Sequence, residues 1–452
     1  MLKAALLRFA LFWGIWILVP IAIDGISAIA YLWASLTHAE LATGDSGVKR
    51  PAILATILIP VYNAERSLYR CIESLASQTY PHSAMEIICM GNAVTDNSIR
   101  EFTRAQARFG SLNAMWVSLS QRGKARALNA GVLLSKGTVV INIDADTRLG
   151  PNAVERMVAA FEDDPDLGAA SGSIHVDLLP PGAPWWWRLL NACEILEYLA
   201  AFRIGRRFQS RQNAVFTLSG AFSAFRRSVV LSTHLYDDKT VSEDTNLTFD
   251  IRNVEGGRWR IACIQGAEAF VEPTLSLSKL MSQRLRWQRG QLEVASLYPR
   301  YWRTNPISAL THFTSRILLG DHTLSFPRLA WTFIIPYLYL LGYSLPLVAA
   351  ALWLTYFMYV IVEFLFLLSI RKALWAAYRM PIGNWWHLSL VMPVYRSLIY
   401  WFRLAGMIYA LCEPASWSAE NEIERVKKEA YRLWSRLRRT TERAVARRGG
   451  AV

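Results

Sequence analysis

Two long apolar runs limit what this chain can fold into. Residues 9 to 35 are almost wholly apolar, with Asp24 the one charged side chain among them. Residues 329 to 370 form a second run, long enough for two spans at ~20 residues each. Gly342 and Pro346 mark the turn between those spans. The start, Met1 to Arg8, is similar to the basic opening of a signal peptide, but no small-residue cleavage site follows, so an uncleaved anchor is expected. Hydrophobic residues make up 53% and charged residues 19%, which is oily for a soluble enzyme. The 18 tryptophans agree, since Trp favours membrane interfaces. A formal net charge of +14 admits nucleic acid as a partner. Basic charge beside apolar segments reads instead as cytoplasmic flanks on a lipid bilayer, so no nucleic acid is expected. Cys71, Cys89, Cys193, Cys263 and Cys412 lie far apart with no C-x-x-C pair, which predicts reduced core thiols rather than disulfides or zinc.

From Lys49 to Glu272 the composition is that of a soluble α/β domain. Apolar strands at Ala55–Pro60, Met85–Met90 and Thr138–Ile143 alternate with helical stretches at Glu65–Gln78, Asn97–Arg108, Lys124–Leu134 and Asn152–Glu162. This βαβα succession predicts a mainly parallel sheet with helices on both faces. The third strand ends in Asp144-Ala145-Asp146, and ligands gather at the carboxyl ends of strands in such sheets. A D-x-D sequence alone is weak, since roughly one is expected by chance in a chain of this length. Asp164-Pro165-Asp166 is that second copy, in an acidic turn where solvated carboxylates suffice. Strand context favours Asp144 and Asp146 as the holders of a divalent cation carrying a diphosphate.

Four other segments bear chemistry, each with a bland alternative. Pro60 to Glu65 leaves the first strand with an aromatic and a carboxylate, suited to a base and ribose, or is an ordinary turn capped by Asn63. Gln121 to Gly131 opens a helix with glycine and clustered cations, suited to a diphosphate through Lys124 and backbone amides, or is a solvated basic helix start. Ser242-Glu243-Asp244-Thr245 is a good helix N-terminus, or supplies a general base. Gln283 to Gly290 packs Arg284, Arg286 and Arg289 around Trp287, fit for phosphate oxygens and a sugar face, or is a juxtamembrane basic helix.

With these segments in order, residues 52 to 370 resemble the family 2 glycosyltransferases, specifically the membrane-embedded processive branch that includes the synthases of cellulose, hyaluronan and poly-N-acetylglucosamine. The order is Asp144/Asp146, Ser219-Gly220, Glu243-Asp244, then Gln283 with Arg286-Trp287 in a Q-x-x-R-W pattern. Thr217 to Phe222, with Phe225-Arg226-Arg227, looks closest to the poly-N-acetylglucosamine synthases. The resemblance implies an α/β GT-A domain, nucleotide-sugar-binding and mainly parallel in its sheet, inserted between transmembrane helices. It implies that Tyr62, Glu65, Asn92, Lys124, Asp144, Gln283 and Arg286 bind the UDP-sugar donor, and that Asp146 ligates Mg2+ or Mn2+. Asp244 would be the base, while Ser219, Gly220, Glu243 and Trp287 would bind the glycan acceptor. Asn92 departs from the pattern, because the family usually has an aspartate there on the uridine.

The reading is an inverting, metal-dependent synthase that elongates a β-linked polysaccharide from a UDP-sugar, with UDP-N-acetylglucosamine favoured, and translocates it. The rivals are a non-processive enzyme moving one sugar to a lipid or short glycan, and an inactive membrane scaffold or export subunit. The expected organisation is an anchor at 9–35, the GT-A domain at 49–272, and interfacial helices with Q-x-x-R-W at 273–326. Two transmembrane helices at 329–370, an interfacial, re-entrant or crossing helix at 385–411, and a basic cytoplasmic tail at 413–452 complete it. His387, Arg396 and Arg403 within 385–411 leave the choice of crossing open on composition. The ten basic residues from Arg425 to Arg448 belong inside, which favours three full spans with the N-terminus outside. Arg439-x-x-x-Arg443 reads as membrane-facing charge, and Glu363 as either a polar path for the glycan or a water-facing acid. The expected location is the cell membrane, multi-pass, with the catalytic domain cytoplasmic; accessory subunits or a homo-oligomer are open.

Overall fold

The computed structural model describes residues 53–237, 240–298 and 336–412, together with Gly25, Ile26, Ala28, Ile29, Leu32 and Trp33. The rest of the expected 9–35 anchor, residues 329–335 of the second apolar run, and the tail from 413 lie outside the described residues. β1 (Ala55–Val61), β2 (Met85–Asn92) and β4 (Val139–Ile143) are buried along their whole length, as strands covered on both faces must be. They pair in parallel, and β3 (Asn113–Leu119) adds to β2 as a half-exposed edge strand. The sheet then changes character. β7 (Phe222–Arg226) runs antiparallel to β4 and β6 (Leu167–Val176), β6 pairs in parallel with β8 (Arg260–Val271), and the short β5 (Arg148–Leu149) closes antiparallel on β8. The order is β3-β2-β1-β4-β7-β6-β8-β5. The mainly parallel sheet expected from βαβα succession is therefore a mixed sheet of GT-A-like kind, all parallel in its first half and interrupted by the antiparallel β7 and β5 in its second.

α1 (Leu68–Ala76) buries Leu68, Cys71, Ile72 and Leu75, a helical stripe at three- and four-residue spacing. α2 (Ser98–Arg108) does the same with Phe102 and Ala105. α3 (Lys124–Leu134) covers the opposite face, where Gly131 matters: a Cβ there would come within 2.9 Å of Met90 and Leu58. Glycine lets α3 lie close on β1 and β2, which places Lys124 over the strand ends. α4 (Ala153–Asp163) packs on β8 and β6. α5 (Trp185–Tyr198) runs without a break into a π-helical turn, Leu199–Gly205, and α6 (Arg206–Arg211). α7 (Arg227–Leu231) and α8 (Glu243–Asn253) follow, and then α9 (Leu277–Leu297), which carries the Q-x-x-R-W segment.

Residues 336–340 are helical and end at a turn through Gly342, whose φ of 92° only glycine adopts without strain. α10 (Leu345–Tyr378) then starts with Pro346 in its first turn and continues past residue 370. Among the described residues it is the one helix long and apolar enough to cross a membrane, with a mean hydropathy of 2.0. Large apolar side chains such as Trp353, Phe357 and Ile361 are exposed along it, as on a helix that meets lipid. Its end is tied to the sheet by Tyr378, whose hydroxyl donates to Val176 O at 2.7 Å. α11 (Leu388–Cys412) lies along both α9 and α10. Gly406 is what permits the α9 contact, since a Cβ there would fall 2.6 Å from Leu285 O. Glu363 of α10, 4% exposed, makes a two-point ion pair with Arg396 of α11. The acid in the apolar helix is thus neutralised by an arginine from its neighbour.

Candidate active site

The site grows from the end of β4. Asn142 is a polar residue inside an apolar strand, and its Nδ2 donates to Gly220 O at 3.0 Å, pinning the Ser219-Gly220 loop over the strand tip. The Asp144 N–H donates to Ala221 O at 3.3 Å, so the aspartate emerges beside that loop. Lys124 Nζ, from the first position of α3, lies 2.8 Å from Asp144 Oδ1 and 3.2 Å from Glu243 Oε1. Asp244, in the first turn of α8, accepts from Gly220 N–H at 3.1 Å and from Thr245 N–H at 2.7 Å. A Cβ on Gly220 would sit 3.1 Å from Lys124 Nζ and 3.4 Å from Asp244 Oδ2. A residue without a side chain occupies the place where the cation and the two carboxylates meet.

Electrostatics divide the carboxylates. Burial, repulsion from Glu243 and a weaker one from Asp144 push Asp244 up to about 6, although Lys124 pulls the other way. Asp146 is open to the cavity, but desolvation by its surroundings and repulsion from Asp144 raise it to about 6 as well. Burial works against the Lys124 ammonium, yet Asp144 and Glu243 overcome it and hold its pKa well above the ordinary lysine value. Lys124 is therefore a fixed positive charge, and Asp244 is a carboxylate poised to take a proton near neutral pH.

α9 sorts its three arginines. Arg284 is fully buried, 2.7 Å from Glu197 of α5, with its guanidinium 4.2 Å over the Trp287 ring. Tyr395 of α11 donates to the same Glu197 carboxylate at 2.7 Å. Arg289 is fully buried and paired with Glu293 at 2.7 Å. Arg286 alone of the three faces the cavity, and no carboxylate pairs with it among the described residues. Gln283 lines the cavity and accepts from Arg284. Trp287 is held by Arg284 and by Tyr198 and Phe202, at 6.1 and 6.3 Å between ring centroids. Of the residues expected from sequence, Lys124, Asp144, Asp146, Ser219, Gly220, Glu243, Asp244, Gln283, Arg286 and Trp287 line one cavity of about 470 Å³.

Three expected donor residues lie apart from that cavity, on the same carboxyl edge of the parallel strands. Tyr62 follows β1 and bonds Arg122, whose guanidinium also lies 4.9 Å from the tyrosine ring. Asn92 ends β2, is 2% exposed, and accepts from Gly123 N–H at 2.9 Å, so its side chain positions the loop that presents Lys124. Glu65 accepts from Asn97 N–H at 3.2 Å and lines a separate groove with Arg66 and Arg100. The second D-x-D copy is remote in function: Asp164 pairs with Arg260 at 2.5 Å and Asp166 with Arg258 at 3.4 Å.

A divalent cation fits Asp146 on donor chemistry. Mg2+ and its relatives bind through one or two carboxylates, with substrate phosphates and waters completing the shell. Asp146 makes no ion pair among the described residues and has Asp144 as a repelling neighbour, a combination that a cation would relieve. Among those residues there is no cluster of three or more His, Cys, Asp or Glu ready to hold a metal unaided. Substrate oxygens would have to supply the remaining ligands.

Sequence reasoning missed Arg206, Gln209, Phe216, Glu272 and Arg403, which also line the cavity. It also missed Asn142, which supports the Gly220 loop from beneath and left a usable sign as an amide inside an apolar strand.

Residues 56–232 match the family model described as Glycosyl transferase family 2, so the chain carries a glycosyltransferase domain of that family. A poly-beta-1,6-N-acetyl-D-glucosamine synthase of Staphylococcus aureus (strain COL) is 27% identical over 240 residues, which is 53% of this chain and 55% of that protein. The synthase of the same name from Staphylococcus epidermidis is 26% identical over 284 residues, 62% of this chain and 63% of its own length. The chain thus spans little more than half to under two thirds of these relatives. Among solved structures, a mannosyltransferase from Pyrobaculum calidifontis, in complex with GDP-Man and Mn2+, superposes with a TM-score of 0.56 at 17% identity, covering 88% of this chain and 98% of that one. That likeness shows a shared fold.

Proposed function

We propose that this chain is an inverting, metal-dependent glycosyltransferase of the membrane that elongates a β-linked polysaccharide from a UDP-sugar and passes it across the bilayer. One observation carries the reading: a carboxylate raised to about 6, Asp244, faces the Lys124–Asp144 pair across Gly220, in a cavity that also holds Arg286, which no carboxylate pairs among the described residues. Asp244 takes the proton from the acceptor hydroxyl as that oxygen attacks the anomeric carbon of the donor. Lys124 and Arg286 hold the diphosphate and stabilise the charge that develops on it as it leaves. Asp146, with Asp144 beside it, would hold Mg2+ or Mn2+, which when bound screens the negative charge of the leaving diphosphate. An acceptor oxygen activated by Asp244 that attacks the anomeric carbon opposite the leaving diphosphate would be an in-line displacement, and hence would give a β-linked product from an α-linked donor. Trp287 offers its face to the acceptor sugar, and Ser219 lines the same path. Tyr62 and Asn92, at the neighbouring strand ends, suit the base and ribose of uridine. Glu65 belongs to the same edge, though its carboxylate is engaged with Asn97.

N-acetylglucosamine is the favoured sugar, on the names of the staphylococcal relatives and on Thr217 to Phe222. Membrane embedding rests on α10 and on the apolar run that precedes it, and a cytoplasmic domain follows from where UDP-sugars are found. The decisive experiment incubates the purified full chain with labelled UDP-sugars and Mg2+ or Mn2+ and sizes the products. A long β-linked polymer from UDP-N-acetylglucosamine is expected. A product one sugar longer than the acceptor would make the enzyme non-processive, and no transfer from any donor would leave a scaffold.

A further inference from the structure

One wall of the cavity has no part in the scheme above. It is built by the π-helical turn Leu199–Gly205 and α6, and π-turns recur at functional sites because they re-aim side chains. Here the turn brings Phe202, Arg206 and Gln209 to the cavity. Arg206 is 7% exposed, its Nη1 has no hydrogen-bond partner, and no carboxylate pairs with it among the described residues. Its guanidinium lies 5.4 Å from the Phe202 ring and 5.6 Å from the Phe216 ring. Gln209, one helical turn further and 6% exposed, has an Oε1 that accepts from nothing among the described residues. A buried donor and a buried acceptor left unsatisfied on one helix face are costly unless a ligand completes both.

Phe202 also packs against Trp287, so Arg206 stands one ring away from the surface offered to the acceptor. Burial lowers Arg206 to about 10, with Cys263 and Asp244 opposing, which leaves it charged at neutral pH on the base side of the cavity. An anion would satisfy Arg206 but would meet Gln209 Oε1 and Asp244, both acceptors. A lone hydroxyl would leave the two phenyl rings without apolar contact. A secondary amide with a methyl group meets every demand at once.

We propose that Phe202, Arg206, Gln209 and Phe216 form an acceptor subsite for the acetamido group of a 2-acetamido sugar. The amide oxygen accepts from Arg206 Nη1, the amide N–H donates to Gln209 Oε1, and the methyl lies against the rings. The subsite rests on the reading of Asp244 as the base of a glycosyltransferase. It makes the chain selective for the sugar it has already added, because a free amine would bring a second cation beside Arg206.

The test uses the full chain, UDP-N-acetylglucosamine as donor, and two β-linked glucosamine trisaccharides, one N-acetylated and one with free amines. The acceptor kcat/KM should favour the acetylated one by roughly tenfold or more. Gln209→Leu and Arg206→Met should each bring that ratio toward one, with UDP affinity by calorimetry as the control for folding. Gln209→Leu, the near-isosteric change, keeps the test open should Arg206→Met fail to fold. Saturation-transfer NMR of the same trisaccharides reads the subsite without catalysis. Transfer with equal use of both acceptors, or an unchanged ratio in Gln209→Leu, overturns the subsite and leaves the enzyme reading intact. No transfer, with acetyl-selective binding that Gln209→Leu abolishes, overturns the enzyme reading instead.

Discussion

Acidification should switch the enzyme off two pH units earlier than an ordinary aspartate base would allow. With Asp244 raised to about 6, about nine-tenths of it is ionised at pH 7 and about one-tenth at pH 5. The rate should therefore fall roughly tenfold between those values, whereas an aspartate at its usual value would lose only about 6% of its activity. Saturating Mg2+ or Mn2+ removes Asp146 from the comparison, because bound metal displaces its proton. The cause can be moved as well as the effect. Burial is the main reason for the shift and Glu243 the next, so Glu243→Gln should lower the acid limb without erasing it. Lys124→Met should raise it, at a loss of donor affinity. Asp244→Asn should cost about 10²–10⁴-fold in transfer while UDP still binds. The stability linkage runs the other way from activity. A carboxyl raised from 3.8 to about 6 binds its proton more tightly in the folded chain, so Asp244 subtracts stability as pH rises through that window. The assay is initial-rate transfer at fixed metal from pH 4.5 to 8. A rate that stays flat to pH 4.5, or an acid limb unmoved by Glu243→Gln, refutes the assignment of Asp244.

Asp146→Ala should abolish the metal dependence of UDP binding by calorimetry, whereas Asp164→Ala should leave it intact and cost the Arg260 pair and the bond from Asp166 N–H, seen as a small loss in melting temperature. Arg286→Ala should weaken UDP binding by roughly tenfold to a hundredfold, the worth of one charge-assisted hydrogen bond, while Arg284→Met should unfold the chain in milder denaturant because it strands Glu197 in the interior. Arg396→Leu leaves Glu363 buried and unpaired and should destabilise the α10–α11 pair by about 3–5 kcal/mol, with most of that recovered in the double variant Glu363→Leu/Arg396→Leu, read by thermal unfolding in detergent. Gly450→Cys in a cysteine-free background should stay unlabelled by an impermeant thiol reagent in intact cells; labelling there would place the tail outside.

The parallel half of the fold was legible because its signals are local. β1, β2 and β4 are predominantly apolar runs, and α3 begins and ends where its pattern does, at Lys124 and Leu134. The second half carries weaker signs. β6 reads Leu-Gly-Ala-Ala-Ser-Gly-Ser, too poor in large apolar residues to announce a strand, and it is buried by pairing with β7 and β8 from far along the chain. Edge strand β3 alternates exposed and half-buried positions, so its sequence never looks like a core strand. At the site, the motifs named which residues meet but not the contacts they make with one another. Glu243, proposed for the acceptor, also pairs with Lys124, and Asn92, proposed for uridine, also accepts from Gly123 N–H.

The arginines of α9 show the limit most clearly. Arg284 and Arg286 stand two positions apart in one motif, and nothing local separates a structural cation from a ligand-facing one. The separation comes from Glu197, which is 87 residues away and meets Arg284 only after α5 and α9 pack. Tyr395 of α11 completes the same carboxylate, and Gly406 brings α11 down onto the α9 backbone. Arg284 in turn lies over Trp287. A single polar cluster therefore sets the angle of the tryptophan that faces the cavity, and one of its members, Tyr395, comes from the apolar C-terminal helix α11. The position of Trp287 is coupled to the seating of α11, so the wall of the cavity and the C-terminal helices are built as one packed unit.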